Sequence, residues 1–290
     1  FIPQDTSGGV ASVALSCCRQ AADDGYDVTL LLMAESTGWA DEYANFEIDE
    51  LGLGTEKERR QAPQRLISWL ENSPQDVIFF NRCLAADPAI DYLPQSTYAS
   101  YVVHDTAPMY WQGAVKYEST LDSVVAVSHT VASRFKHRME SSYKASVLHN
   151  GTLFPDRVPE ASPRSDDLVF LGGDKPKKGA YDVLDLWKEL REREFTGQLH
   201  WFGDLSDGFK SRISKLPVSE NIITHGFTPR SSIFDVASGA KVLLMLSRVE
   251  PFGMATIEGM GMGCLPVAWD LETGTSEIIN KGETGLIAPL

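Results

Sequence analysis

The sequence has few cysteines, and their spacing matches no common metal site. The 290 residues include four cysteines, Cys17, Cys18, Cys83 and Cys264, which is sparse for a disulfide-stapled extracellular domain. Cys17 and Cys18 are adjacent inside an apolar helical pattern, and this favours packing over metal binding. We therefore expect buried, reduced thiols in a cytoplasmic protein.

Long apolar runs and an excess of basic charge are also missing. No run of about 18 apolar residues occurs, so no membrane-spanning helix is predicted. The opening FIPQDTSGG lacks the basic and apolar segments of a signal peptide and is expected to be the end of a strand. Acidic residues exceed basic ones by 40 − 26 = 14, which disfavours nucleic acid and anionic membranes as partners. The basic cluster at 134–138 is either a solvated helix face or a contact for an anionic acceptor or membrane surface.

Short apolar runs alternate with longer amphipathic segments, which predicts an α/β fold with parallel sheets covered by helices. A stretch rich in proline and charge, residues 155–167, interrupts this alternation once. We therefore predict two doubly wound domains, 1–160 and 161–290, with Leu265–Ala268 as the last strand. Ligands of such sheets bind beyond the carboxyl ends of the strands, so a cleft between the domains is the expected site.

Three features of the first predicted domain lie where that rule places ligands. Gly8 and Gly9 open the first helix, where they either let backbone amides approach an anion or form a plain turn. His104 ends the apolar run SYVVH. It either binds a sugar hydroxyl, helps to stabilise developing charge, or is a structural histidine. Ser128 is predicted to cap the helix that follows it.

The second predicted domain begins with the strand, loop and helix of VFLGGDKPKKGAYD. Its loop contains Gly172, Gly173 and Gly179 as well as three lysines. Lys178, just before the helix, could pair with a diphosphate as a compact point charge. The alternative is that Lys175, Lys177 and Lys178 form a solvated loop.

The stretch EPFGMATIE, bracketed by Glu250 and Glu258, is the most specific part of the sequence. Amides at a helix N-terminus carry about half a positive charge and can hold a diphosphate. A nearby carboxylate can accept hydrogen bonds from two vicinal hydroxyls. The pattern therefore suits a nucleotide sugar, and the alternative is a solvated loop followed by a helix-capping glutamate.

This block resembles the C-terminal half of retaining glycosyltransferases of family 4. The resemblance continues downstream at Gly263, Pro266, Gly274, Glu277 and Gly285. Shorter stretches occur in the matching order along the chain: SGGV, VVHD, AVS, LHNG, FLGGDKPKKG and HGF. The resemblance implies the GT-B architecture, in which two Rossmann-like domains face each other across a cleft. The acceptor would bind on the N-terminal side and the donor on the C-terminal side. Family members usually continue beyond the position of Leu290, so we expect the C-terminal end to be truncated.

The resemblance also implies roles for the matching residues. Glu250 would contact hydroxyls of the donor sugar, Lys178 would neutralise the diphosphate leaving group, and His104 would lie near the anomeric carbon. Glu258 would hold the ribose. The remaining donor-binding residues would be Gly8, Gly9, Gly173, Phe252, Gly253 and Met254.

The implied reaction moves a sugar from a nucleotide sugar, such as a UDP- or GDP-sugar, to an acceptor hydroxyl with retained configuration. The acceptor would be a glycan, a glycolipid or a small molecule, and the segment from Tyr110 to Tyr117 is its expected site. No cofactor is expected, and no DxD-type acidic cluster indicates a metal.

Two alternatives stay open, a nucleotide-sugar epimerase and a non-catalytic nucleotide-sugar binder or partner subunit. The second is motivated by Gly173, because the family often has an arginine there. Lys175 or Arg248 could supply the missing charge.

Overall fold

The computed structural model describes residues 1–4, 8–41, 45–154, 164–216 and 218–290. They form two compact units, Phe1–Leu153 (unit 1) and Phe154–Leu290 (unit 2). The predicted domain boundary at residues 160 and 161 lies outside the described residues, as does most of the stretch rich in proline and charge. Among the described helices, none combines the length and the apolar composition needed to cross a bilayer.

Strands and helices alternate through both units. The strands are β1 (Thr29–Leu32), β2 (Glu47–Glu50), β3 (Val77–Asn81), β4 (Tyr98–Val103), β5 (Ser123–Ala126), β6 (Ala145–Val147), β7 (Ser165–Leu171), β8 (Leu199–Phe202), β9 (Ile222–Gly226), β10 (Ala240–Met245), β11 (Leu265–Trp269) and β12 (Leu286–Ala288). The helices are α1 (Gly9–Asp23), α2 (Glu56–Arg59), α3 (Ala62–Asn72), α4 (Pro108–Lys116), α5 (His129–Phe135), α6 (Ala180–Glu192), α7 (Asp207–Ile213), α8 (Arg230–Gly239), α9 (Met254–Gly261) and α10 (Gly274–Ile278).

The first two residues join the strands of unit 1 into one parallel sheet. Ile2 bridges to Leu32 of β1, while the amide of Asn81 at the end of β3 donates to the carbonyl of Phe1 at 3.0 Å. The order is therefore β2, β1, residues 1–2, β3, β4, β5 and β6. Of the opening residues predicted to end a strand, Phe1 and Ile2 make these strand contacts, whereas residues 3–4 and 8–9 lie outside any strand. In chain order, β1 and β2 lie on one side of residues 1–2, and the later strands, beginning with β3, lie on the other side. The strand order therefore reverses between residues 1–2 and β3.

Unit 2 is a six-stranded parallel sheet in the order β12, β11, β10, β7, β8, β9. This is a doubly wound order, and its reversal lies between β7 and β10. Helices bury both faces, with Trp187 and Trp201 in one core and Phe202 and Phe234 in the other. The strands are nearly continuous apolar runs because both faces are covered. The prediction that Leu265–Ala268 ends the series is wrong, since β12 pairs with β11 beyond it.

Two further sequence predictions have different outcomes. All four thiols are free, but Cys17 is exposed and Cys18 is half-buried, so burial is confirmed only for Cys83 and Cys264. Cys17 lies beside the stripe of α1 that packs on β1 through Ala14 and Leu15. Ser128 does cap its helix: its hydroxyl accepts from the amide of Val131 at 3.0 Å, at the start of α5.

Asp87 is a buried carboxyl in unit 1 and is 5% exposed. The Tyr101 hydroxyl donates to its Oδ2 at 3.0 Å, whereas Oδ1 has no hydrogen-bond partner among the described residues. A side chain at Gly113 of α4 would collide with this carboxyl. Burial raises the pKa of Asp87 to about 6. The native state therefore holds a proton here that the unfolded chain releases at lower pH.

We expect Asp87→Asn to raise the free energy of unfolding at pH 7.5 by up to about 3 kcal/mol, since each unit of pKa difference corresponds to about 1.4 kcal/mol. The protonated carboxyl stabilises the fold fully below the ordinary pKa of 3.8, and this contribution is lost as pH rises to about 6. Urea unfolding of both proteins at pH 4.5 and 7.5 measures the effect. A gain of equal size at the two pH values would contradict the assignment.

Candidate functional site

The carboxyl ends of β7 and β10 lie side by side where the strand order of unit 2 reverses. Ligands of doubly wound sheets bind at such a point. The loop after β7 ends in the short helical turn Pro176–Lys178, and the loop after β10 contains the EPFG sequence at residues 250–253. The amide of Arg248 donates to the carbonyl of Lys177 at 2.9 Å, so the two loops are hydrogen-bonded to each other.

An ion pair joins the two predicted catalytic residues of these loops. Lys178 Nζ lies 2.6 Å from Glu250 Oε2, and the side chains are 32% and 10% exposed. Gly179 follows Lys178 with φ of +85°, and a Cβ there would collide with the carbonyl of Leu246. This close approach of the two backbones places the loop of residues 172–178, called here the lysine loop, against the end of β10. The structure thus brings Lys178 and Glu250 into direct contact, while their roles toward a donor stay a prediction.

The Pro-Phe-Gly turn sets the start of α9. Gly253 has φ of +111°, and a Cβ there would lie 2.8 Å from Thr275 Oγ1 and 2.9 Å from Thr256 Oγ1, so glycine is required. The amide of Gly274 donates to the carbonyl of Glu250 at 2.7 Å. In the described part of the chain, no side chain caps the first turn of α9. An anion placed there would therefore find backbone donors and the positive end of the helix dipole.

Glu258 lies in the second turn of α9 and forms an ion pair. Arg230 Nη2 is 3.0 Å from Glu258 Oε1, and the two side chains are 23% and 18% exposed. Burial raises the pKa of Glu258, and the charge of Arg230 opposes that shift. Sequence reasoning missed Arg230. The available signal was a cation in the first turn of a helix, where the dipole disfavours it.

Gly173 cannot simply be exchanged for the arginine that the resemblance leads one to expect. Its φ is +54°, and a Cβ would lie 2.8 Å from the carbonyl oxygen of Asp204. Of the two candidate replacements, Arg248 forms an ion pair with Asp182 in the first turn of α6. Lys175 is exposed. Within the described residues, Lys175 forms no ion pair, although its charge acts on the adjacent Asp174.

Phe252 and Met254 lie in the loop before α9 and at its first residue, whereas Gly8, Gly9 and His104 belong to unit 1. Gly8 caps α1 in extended backbone and Gly9 begins it. A Cβ on either glycine would meet no atom of the described residues within 4 Å. Protein packing among these residues therefore does not require the glycines, and their predicted role toward a ligand stays a prediction.

His104 follows β4 and is held by Asn81 at the end of β3. Its Nε2 lies 2.8 Å from Asn81 Oδ1, while Asn81 Nδ2 donates to the carbonyls of Phe1 and Phe79 at 3.4 and 3.2 Å. An amide oxygen only accepts hydrogen bonds, so Nε2 carries the proton and Nδ1 keeps its lone pair. Asn81 was not predicted from the sequence, because 23 residues separate it from its partner.

Burial lowers the pKa of His104 to about 4, so we expect a neutral imidazole from pH 6 to 8. The measurement is an NMR titration of the histidine ring protons, with His104→Gln used to identify the resonance. Its chemical shift should stay constant down to about pH 5 and move only below that pH. A midpoint above 6 would contradict the neutral assignment.

The predicted acceptor segment forms α4, which carries two aromatic side chains in contact with arginines. Arg82 lies 4.7 Å from the ring centroid of Tyr110, and Arg138 lies 5.3 Å from that of Trp111. The basic cluster at 134–138 therefore contacts this helix through Arg138. Whether the segment binds an acceptor stays a prediction.

The second unit is similar in sequence to known glycosyltransferases. Residues 156–289 match the family model of glycosyl transferases group 1. The chain is 26% identical over 169 residues to lipopolysaccharide 1,6-galactosyltransferase of Salmonella typhimurium, covering 57% of this chain and 47% of that enzyme. It is 30% identical over 132 residues to mannosylfructose-phosphate synthase of Agrobacterium fabrum, covering 42% and 29% respectively. The chain thus matches less than half the length of these two relatives.

Solved structures resemble nearly the whole chain in fold. Anabaena HepE in complex with UDP matches with a TM-score of 0.79 at 16% identity, over 99% of this chain and 84% of that one. The apo form of the lipopolysaccharide outer core galactosyltransferase WaaB matches with a TM-score of 0.72 at 17% identity, over 100% and 85%. The chain therefore has the α/β fold of GT-B glycosyltransferases, and its second unit is similar in sequence to glycosyl transferases group 1.

Proposed function

We propose that the chain is a retaining, metal-independent glycosyltransferase that moves a sugar from a nucleotide sugar to an acceptor hydroxyl. The observation that carries this proposal is the Lys178–Glu250 ion pair. It lies where the strand order reverses, in loops that adjoin the uncapped start of α9. A cation, an acid and a helix N-terminus in one region suit a ligand that has both a diphosphate and sugar hydroxyls.

Each group then has one task. The first amides of α9 and Lys178 hold the diphosphate, and Lys178 neutralises the charge that develops as it leaves. Glu250 accepts hydrogen bonds from hydroxyls of the donor sugar, while Glu258 accepts them from the ribose. The UDP bound to HepE is a ligand of the same class. Gly173, Phe252, Gly253 and Met254 contribute backbone at the donor.

In unit 1, His104 acts as a neutral hydrogen-bond acceptor rather than as a cation. The Asn81 contact directs the proton to Nε2, so the Nδ1 lone pair is available to a sugar hydroxyl or to positive charge at the anomeric carbon. Gly8 and Gly9 leave room for backbone to approach the diphosphate.

The proposed reaction breaks the bond between the anomeric carbon and the phosphate oxygen, and the electron pair leaves with the nucleoside diphosphate. The acceptor hydroxyl attacks the oxocarbenium-like carbon on the same face, and its proton passes to the departing phosphate oxygen. The products are a glycoside with retained configuration and a nucleoside diphosphate. Catalysis by fixed charges around the leaving group is sufficient for this route.

A non-catalytic nucleotide-sugar binder is the second candidate, favoured by the backbone at Gly173. Residue 173 is glycine, so a bound diphosphate would lack the arginine expected at this position. A side chain there would contact the backbone of Asp204. Such a protein would bind a nucleotide sugar without consuming it. We place either protein in the cytoplasm, where the free thiols of all four cysteines would stay reduced.

Product analysis in the presence of EDTA tests the proposal. The protein is incubated with UDP-, GDP- and ADP-hexoses, with a panel of acceptors or with water as a slow acceptor, and followed by proton NMR. We expect one donor to yield nucleoside diphosphate and a sugar whose first anomer matches that of the donor. An inverted first anomer would overturn the retaining assignment, and an isomerised donor would indicate an epimerase. Donor binding without turnover would favour the second candidate.

A further inference from the structure

Arg230 occupies a helix position that disfavours a cation. It is the first residue of α8, where the helix dipole places partial positive charge. A like charge there costs about 0.3 to 1 kcal/mol. A residue that breaks a local rule is expected to gain a compensating contact elsewhere. The contacts of Arg230 with other described residues include one with Glu258 of α9 and one with Phe234 of its own helix.

These contacts fix the guanidinium in one place. Its central carbon lies 4.9 Å from the ring centroid of Phe234, one turn further along α8. That ring is 7% exposed and stacks on Phe154 at a centroid distance of 6.3 Å. A planar cation supported by a packed ring loses little further freedom when it binds a carboxylate. Arg230 is therefore a rigid support for the Glu258 side chain.

The closest contact between the two side chains involves one oxygen of the carboxylate. Arg230 Nη2 lies 3.0 Å from Oε1, and an ionised carboxylate offers about four lone-pair sites on two oxygens. Oε2 therefore keeps its capacity to accept. Burial of Glu258 favours its protonated form, and the cation favours the ionised form, which only accepts hydrogen bonds.

We propose that Arg230 is a positioning residue for the ribose site: it holds one oxygen of Glu258 and so orients the other toward the vicinal hydroxyls of a ribonucleotide. This inference rests on the proposed function and deepens it. Selection of nucleoside diphosphates with an intact 2′,3′-diol then depends on a residue that itself contacts no ligand. Removing Arg230 should therefore reduce the preference for ribonucleotides over 2′-deoxyribonucleotides, while the affinity for the 2′-deoxyribonucleotides stays nearly the same.

The test is calorimetric titration of the wild-type chain and of Arg230→Gln with UDP, GDP, ADP and their 2′-deoxy counterparts. We expect the wild type to bind one ribonucleotide about tenfold more tightly than its deoxy form, a difference of about 1.4 kcal/mol. In Arg230→Gln the ratio should fall to about twofold, through loss of ribonucleotide affinity alone. Arg230→Lys should restore part of the preference, because lysine supplies the charge without the planar fork.

Lys241→Gln is the matched control. Lys241, at the start of β10, forms an exposed ion pair with Asp166 of β7, and its replacement should leave the ribose preference unchanged. Thermal unfolding checks that each variant is folded. If Arg230→Gln does not fold, the ribose preference of Arg230→Lys is compared with that of the wild type instead. A preference equal to that of the wild type in the folded variant would overturn this inference alone. Failure of the wild type to bind any ribonucleotide would overturn the proposed function as well.

Discussion

Replacing Lys178 with alanine is expected to lower kcat by about 10² to 10³-fold, the cost typical of removing one preorganised group that stabilises developing charge. The KM for the donor should change much less, because the charge on the leaving phosphate grows mainly in the transition state. The same change leaves Glu250, whose side chain is 10% exposed, without its cation. The free energy of unfolding should therefore fall by about 1 to 3 kcal/mol.

Steady-state kinetics and urea unfolding separate the effect on kcat from the effect on stability. They are measured for the wild type, Lys178→Ala, a double variant and a control variant. The double variant Lys178→Ala/Glu250→Ala should recover part of the lost stability, because no unpaired carboxylate remains, but none of the lost turnover. Lys177→Ala is the matched control, since this neighbouring lysine is exposed. If Lys178→Ala and Lys177→Ala lower kcat equally, the lysine loop is a solvated loop and Lys178 has no part in the reaction.

The two acids of the EPFGMATIE block should respond differently to removal. Glu258→Ala is expected to weaken donor binding by about 10 to 100-fold, which corresponds to losing hydrogen bonds worth about 1.5 to 3 kcal/mol to a charged acceptor. Glu250→Ala should instead lower kcat by about 10²-fold, since a donor sugar that is no longer oriented reacts poorly. Donor affinity by calorimetry and kcat by nucleotide release give the two quantities.

Controls distinguish this outcome from general damage to the unit. Glu283→Ala removes an exposed acid in a turn near the end of the same unit and should leave both affinity and kcat unchanged. Glu250→Gln keeps an acceptor oxygen but removes the charge, and should fall between wild type and alanine. Small and equal effects of Glu250→Ala and Glu258→Ala would contradict the assignment of these acids to a donor site.

Much of the fold is visible in the sequence because parallel strands covered on both faces are short apolar runs. The strand predicted at Leu265–Ala268 is observed as β11, Leu265–Trp269, one residue longer. Two edge strands, β2 and β12, were missed for a physical reason. β2 is the acidic segment EIDE and is largely exposed, so it lacks the apolar signal. β12 has three residues and pairs only with β11 in the described sheet.

The candidate site was predictable only where its chemistry is local in sequence. EPFGMATIE contains the turn, the helix start and both acids, so its pattern indicates a ligand without any tertiary information. The contacts that organise it join distant residues: 72 positions separate Lys178 from Glu250, and Arg230 belongs to a different helix from Glu258. The exposure of Cys17 likewise depends on which stripe of α1 faces the sheet, and Ala14 and Leu15 determine that stripe.

Binding of a nucleotide sugar without metal tests the central claim most directly. The wild-type chain is titrated calorimetrically with UDP-, GDP- and ADP-sugars in the presence of EDTA. We predict that one nucleotide class binds at a single site, and that Glu258→Ala weakens this binding while Glu283→Ala does not. Absence of binding to all three classes by a folded protein would contradict the proposal that this fold carries a donor site.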